Sequence, residues 1–264
     1  MRHQFKIRGC SGLGAQFYTR MVAKHYSQIE PNVIVETQYP EVFADLQGVK
    51  TTDERIFDPE IYCTYVPFKT DRNTTQYKDV LRAAQIKDFT PLSFGAKLDI
   101  PRGIKRRIEE SKTLHGGAKV GWPVCVVADI YTASGIRNKE TLRPNIEIYS
   151  KIVDAINKSY FTVLVGAGDC IVKNADCSLK GGTNVNELMG LVCNCDLVLT
   201  QVGALLPMGE AFGKRTISVL SANYGKSGDV FLNTITPKKV VCSNTSVCYR
   251  DDLVFIVDRV KEMI

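Results

Sequence analysis

Short runs of β-branched residues alternate with segments of helical periodicity, and this alternation limits the chain to an α/β fold with parallel sheets. Phe5–Arg8 reads as a strand, Gly9–Gly14 as a flexible loop and Phe17–Ile29 as a helix that Pro31 stops. Asn32–Gln38 follows as a second strand, so the opening is a β-loop-α-β unit with a right-handed crossover. Arg55–Phe68 has room for one or two short strands, and Gln76–Ile86 reads as a helix. Between Lys97 and Pro123, Pro101, Gly103, Gly116, Gly117 and Gly121 break the pattern, leaving a short helix at Ile104–Lys112.

The alternation then resumes. Strands are expected at Val124–Ile130, Phe161–Val165, Asp196–Thr200 and Thr216–Leu220. Helices are expected at Asn145–Lys158, Asn184–Val192, Pro207–Phe212 and Asp251–Met263. Asn184 stands three residues before Glu187, the spacing of a capping box, and Gly213 closes the helix before it. These elements predict two Rossmann-like domains, residues 1–100 and 123–264, with a linker at 101–122.

Composition excludes several classes. Hydrophobic content of 44% and charged content of 23% are ordinary for a globular protein, and no run is long enough for a membrane helix. The N-terminal MRHQFKIRGC enters a strand-like run directly, which predicts no signal peptide and a cytoplasmic protein, in the host cytoplasm if viral. Nine cysteines, an odd and scattered set, fit a reducing compartment better than a disulfide scaffold. The Cys193-x-Cys195 pair lacks a second Cys pair or nearby histidines, so no metal is expected and the thiols read as small apolar side chains. His3, His25 and His115 lack Ser or Cys partners in the sequence pattern. Lys and Arg outnumber Asp and Glu by 34 to 28, a net charge of +6 that favours an anionic partner without selecting one.

Three segments carry chemistry. Gly9-Cys10-Ser11-Gly12-Leu13-Gly14 sits between a strand and a helix, where Gly12 and Gly14 let backbone amides approach a ligand. It is an incomplete dinucleotide fingerprint, because Phe17 stands where the last glycine belongs, and a plain tight turn explains it equally well. The run from Leu199 to Val219 places Gly203, Ala204 and Leu205 in a loop fit for a diphosphate, and Glu210 at a spacing suited to ribose hydroxyls. Thr132–Pro144 follows a strand end and offers Arg137 and Arg143 as bidentate phosphate ligands; Gly166 and Gly168 follow another.

Gly12-Leu13-Gly14 with Thr19 resembles the opening G-x-G-D-x-x-x-T motif of the heptosyltransferase (glycosyltransferase family 9) group of lipopolysaccharide synthesis. Ser178–Leu220, with Gly182-Thr183, Glu187-Leu188, Cys195-Asp196-Leu197-Val198 and the stretch from Gly203 to Val219, is similar to that family's donor-binding segment. Glu210–Val219 also resembles the acid-bearing nucleotide-sugar segment of two-Rossmann (GT-B) glycosyltransferases. The resemblance implies a GT-B glycosyltransferase, its two Rossmann-like domains facing across a cleft, that moves a sugar from a nucleotide-diphosphate donor to an acceptor hydroxyl. It also implies inversion at the anomeric carbon, with no metal and no cofactor beyond the donor itself.

Two departures qualify it. Ala15 stands where the family places the Asp regarded as the base that deprotonates the acceptor, and a methyl group accepts no proton. Another acid serves, or catalysis is lost, or the change is a deliberate Asp→Ala; the intact flanking residues favour the last. Asp129 and Asp169, near strand ends, are the reserve bases. Val202 and Pro207 also replace the Asp and His of the family's D-x-G-P-M-H segment, so heptose is not inferred.

The acceptor is open at this stage. A composition with a viral character, together with Arg102, Lys105, Arg106 and Arg107, points to a hydroxymethylated pyrimidine in DNA. A lipopolysaccharide or other saccharide is the alternative acceptor, and a nucleotide-binding module without catalysis is the alternative class. The oligomeric state is not legible.

Overall fold

A computed structural model describes residues 3–9, 11–63, 76–87, 92–114, 117–130, 144–166, 172–201, 203–220, 246–250 and 256–264. The first sheet contains β1 (Phe5–Arg8), β2 (Val33–Glu36), β3 (Val49–Thr52) and β4 (Ile61–Tyr62) in the order β3-β2-β1-β4, all parallel. The second contains β5 (Val124–Ala128), β6 (Phe161–Val165), β7 (Cys177–Ser178), β8 (Leu197–Thr200), β9 (Arg215–Leu220) and β10 (Ser246–Arg250). Its order is β10-β9-β8-β5-β6-β7, again all parallel. Counted from β5, that is the Rossmann order of a doubly wound sheet.

Seven α-helices accompany the sheets among the described residues: α1 (Leu13–Tyr26), α2 (Gln76–Ala83), α3 (Arg102–Leu114), α4 (Ile146–Ile156), α5 (Val185–Asn194), α6 (Leu205–Ala211) and α7 (Ile256–Lys261). A short 3-10 turn spans Pro40–Phe43. Caps set several boundaries. The Asn145 side chain accepts from the N–H groups of Glu147 and Ile148 at 2.9 and 3.2 Å, and the Asn184–Glu187 capping box forms as its spacing requires. Each cap contributes about 1 kcal/mol.

Apolar side chains divide the second sheet into two buried faces. Tyr149, Ile152, Val153, Ile156 and Val260 cover the face carrying Cys125, Val127, Leu197, Leu199 and Ile217. Ile104, Ile108, Met189, Leu191, Leu205 and Met208 belong with Val126, Val163 and Val198 on the opposite side. That second cluster is continuous with Ile7, Phe17, Met21 and Val35 of the first sheet, so one apolar core links both halves. The segment joining them is strapped down. Phe94 N–H donates to Ala211 O at 2.7 Å, Leu98 N–H reaches Cys193 Sγ at 3.5 Å, and the Asn194 amide donates to Leu98 O at 2.6 Å.

Several boundaries differ from the sequence reading. α1 begins at Leu13 instead of Phe17, because Gly12 at φ 99° turns the chain and places Leu13 and Gly14 in the first helical turn. α6 begins at Leu205, with Pro207 in its first turn, where a missing N–H costs no helical bond. The segment read as a linker carries a helix longer than Ile104–Lys112; Ile104 and Ile108 anchor it, and the Ser111 hydroxyl donates to Asp176 O at 2.8 Å. The sequence does not predict β3, β7 or β10. Cys177–Ser178 is too short and polar-flanked to register as a strand, and Val49–Thr52 is an edge strand with exposed Lys50 and Thr51.

Gly190 shows how tightly the halves meet: a Cβ there would collide with Asp99 O. Gly190→Ala is expected to cost about 1–3 kcal/mol, seen as a lower urea midpoint at unchanged m-value. An unchanged midpoint would show that the Asp99 segment yields freely.

Candidate functional site

In open α/β sheets, ligands gather where strand order reverses, at the carboxyl ends of the strands. The first sheet has this point between β1 and β4, from which the chain runs through Gly9 into α1. The second has it between β5 and β8, where Asp129 and Gln201 follow the strands and Gly203-Ala204 lead into α6. The two helix starts meet: a Cβ on Gly14 would lie 3.1 Å from Ala204 Cα and 3.4 Å from Pro207 Cγ. Gly14, predicted from the first half, is thereby brought together with Ala204 from the second. Among the described residues, a Cβ on Gly12 or Gly203 would meet nothing within 4 Å.

Ala15 lies in the first turn of α1 and is 6% exposed. Thr19, matched to the family motif, is fully buried, and its hydroxyl donates back to Ala15 O at 3.3 Å, a helix-internal role. Gly9 sits close to α1: a Cβ there would lie 2.9 Å from Gln16 Nε2 and 3.1 Å from Thr19 Cγ2.

Asp129 is 4% exposed. Its N–H donates to Val165 O at 2.8 Å, its Oδ1 accepts weakly from Val172 N–H at 3.4 Å, and its carbonyl accepts from Gln201 Nε2 at 3.3 Å. Gly166 packs on it so closely that a Cβ would lie 2.9 Å from Asp129 Cβ. Beneath, the Tyr149 hydroxyl donates to Ala128 O at 2.9 Å and approaches Leu199 O at 3.4 Å, tying β5 to β8; burial raises its phenol pKa well above the ordinary value. Asp129 and Gly166 therefore belong to a packed switch point, and Asp129 has little access to an acceptor in this arrangement.

Glu210 lies on α6, 3% exposed, on a helix pressed onto its sheet: a Cβ on Gly209 would collide with Thr216 Oγ1. Arg137, Arg143, Gly168 and Asp169 lie outside the described residues, as do Val202 and His115. Arg102, Lys105, Arg106 and Arg107 are exposed on α3. Arg107 donates to Ser178 O at 3.0 Å, and Arg106 pairs with Glu110 at 3.4 Å, so two of the four cations are engaged within the protein.

Cys63, Cys125, Cys177, Cys193 and Cys195 are free thiols, and all but Cys193 are buried. Burial pushes the Cys195 thiol up to about 12 and raises Cys125 well above its ordinary value, so both stay protonated and act as apolar filling. Among the described residues, no group of three His, Cys, Asp or Glu converges as a metal site would require. No described helix is long and apolar enough to cross a membrane.

No protein-family model matches the chain, and no curated protein does. Solved structures match along almost all of it. Heptosyltransferase WaaC of E. coli, with ADP-2-deoxy-2-fluoro heptose, superposes with a TM-score of 0.59 at 10% identity, over 99% of this chain and 98% of its own. The chain has the GT-B fold of the heptosyltransferases. A family 9 glycosyl transferase from Veillonella parvula gives 0.57 at 13% identity, over 95% and 87% of the two chains. ADP-heptose lps heptosyltransferase II of E. coli gives 0.54 at 11% identity, over 98% and 97%. At these identities the likeness is one of fold, and it is the fold the sequence predicts.

Proposed function

We propose that this GT-B chain is a glycosyltransferase that moves a sugar from a nucleotide-diphosphate donor to an acceptor hydroxyl, with inversion and without a metal. The observation that carries the reading is the meeting of α1 and α6 at Gly14 and Ala204, which sets the glycine loops of both switch points beside one another. One loop serves the donor and the other the acceptor. On the donor side, the amides of Gly203, Ala204 and Leu205 receive the diphosphate, Glu210 accepts from the ribose hydroxyls, and Arg137 and Arg143 stabilise charge on the leaving nucleotide. On the acceptor side, the β1–α1 loop holds the hydroxyl in line behind the anomeric carbon.

A saccharide is the favoured acceptor. The solved structures that share this fold include an lps heptosyltransferase, which supports a saccharide over DNA as the acceptor.

The donor half can be tested without turnover. A thermal-shift panel of UDP, GDP, ADP, CDP and dTDP with their sugar conjugates should single out one nucleotide. At roughly 100 times Kd the expected rise is about 5–10 °C. Glu210→Gln is expected to weaken binding of that nucleotide about tenfold while the protein stays folded. No shift with any nucleotide, from a sample with a cooperative melt, would refute the transferase reading.

A further inference from the structure

Three partly exposed side chains form a row at the carboxyl edge of the first sheet. Glu36, Arg8 and Tyr62 are neighbours in register across β2, β1 and β4, each the last residue of its strand, and so share one face at the carboxyl edge. Arg8 Nε lies 3.4 Å from Glu36 Oε2, with side-chain exposures of 26% and 22%. The Arg8 guanidinium carbon stands 5.4 Å from the Tyr62 ring centroid, yet Tyr62 is 53% exposed. Glu36 also accepts from Ile56 N–H at 2.8 Å and so fixes the loop carrying Phe57, an aromatic side chain 78% exposed. Gly9, directly after Arg8, leads into the loop assigned above to the acceptor.

We propose that Glu36, Arg8 and Tyr62, with Phe57 on the adjoining loop, form an acceptor subsite for an uncharged saccharide; this rests on the glycosyltransferase reading. The chemistry fits a sugar. A carboxylate accepts from hydroxyls, a guanidinium donates to ring and hydroxyl oxygens, and exposed aromatic rings cover C–H faces. Within the row Glu36 offsets Arg8, so the row itself carries no net charge to attract a polyanion.

The test uses the full chain on an array of neutral and anionic oligosaccharides, with single-stranded and duplex DNA as further probes. The strongest neutral binder is then titrated by saturation-transfer NMR. Retention of neutral glycans is expected. Tyr62→Ala should weaken binding at least about tenfold, the effect of one lost stacking contact, while Glu36→Gln weakens it with the melting temperature preserved. Both variants should keep the nucleotide-induced thermal shift of the parent. Nucleotide binding without neutral-glycan binding would overturn the subsite and leave the transferase reading intact, as would preference for DNA or anionic glycans. Glycan binding indifferent to both substitutions would also overturn it. Row-dependent glycan binding without any nucleotide shift would uphold the saccharide site and refute the transferase.

Discussion

Replacing Arg20 with leucine is expected to lower stability by about 3 kcal/mol, the lower end of the cost of breaking a buried ion pair. Arg20 is fully buried on α1. Its guanidinium donates to Asp45 Oδ1 at 2.5 Å and Oδ2 at 2.8 Å, to Val42 O at 2.7 Å and to Ser93 O at 3.2 Å, and it stands 4.1 Å from the Phe94 ring centroid. Removing it leaves a largely covered carboxylate and two carbonyl oxygens without these donors; the lower figure reflects the 17% exposure that Asp45 retains. The loss also spreads, because Phe94 bonds Ala211 at the end of α6. Weakening the Arg20 network therefore loosens the seating of α1 against α6. Combining Arg20→Leu with Asp45→Leu should recover part of the loss, which separates the orphaned charge from simple loss of packing.

The same pair predicts a pH dependence. Burial raises the Asp45 carboxyl, but the hydrogen bond and charge of Arg20 outweigh it and hold the group below its ordinary value. A carboxyl lowered on folding contributes stability above its unfolded pKa of about 3.9, and that contribution fades as pH falls through the lower folded value. The gap between parent and Arg20→Leu urea midpoints should thus be full at pH 7 and narrow below about pH 4. A gap that stayed constant into acid would assign the loss to packing instead of charge.

What can be read from sequence follows from how far each signal is local. Phe161–Val165 is buried on both faces and stands out as an uninterrupted apolar run, and the Asn184–Glu187 box is contained within four residues, so both are legible. β7 and β10 depend on neighbours distant in sequence, and nothing within them announces pairing. The contact of Gly14 with Ala204 is of that long-range kind: each glycine loop can be found, but not their meeting. The Glu36–Arg8–Tyr62 row escapes sequence reading for the same reason, since parallel register alone aligns residues from three separate strands. An alternating pattern does mark the partly exposed face of β1, where Lys6 and Arg8 flank buried Ile7, but not its partners.

Ala15→Asp is expected to raise transfer to a bound saccharide acceptor by about 10²–10⁴-fold, the usual contribution of a placed general base. Position 15 is the third residue of α1, beside the approach of Gly14 to Ala204. Helix N-termini favour negative charge, so the introduced carboxylate would be ionised at neutral pH, the form a base needs. Ala15 is only 6% exposed, so the longer side chain must turn toward Gly12, and the stability change measures whether it does. Ala15→Asn is the matched control: it has nearly the same size and hydrogen-bonding reach but cannot serve as a carboxylate base. Release of nucleoside diphosphate should rise with Asp and stay flat with Asn, provided both variants keep the parent's nucleotide-induced shift. Equal rates would remove position 15 from the chemistry. If both variants bind donor and saccharide yet neither turns over, the general base lies elsewhere or the chain binds without catalysing, because the shared binding behaviour would exclude loss of the donor site as the cause.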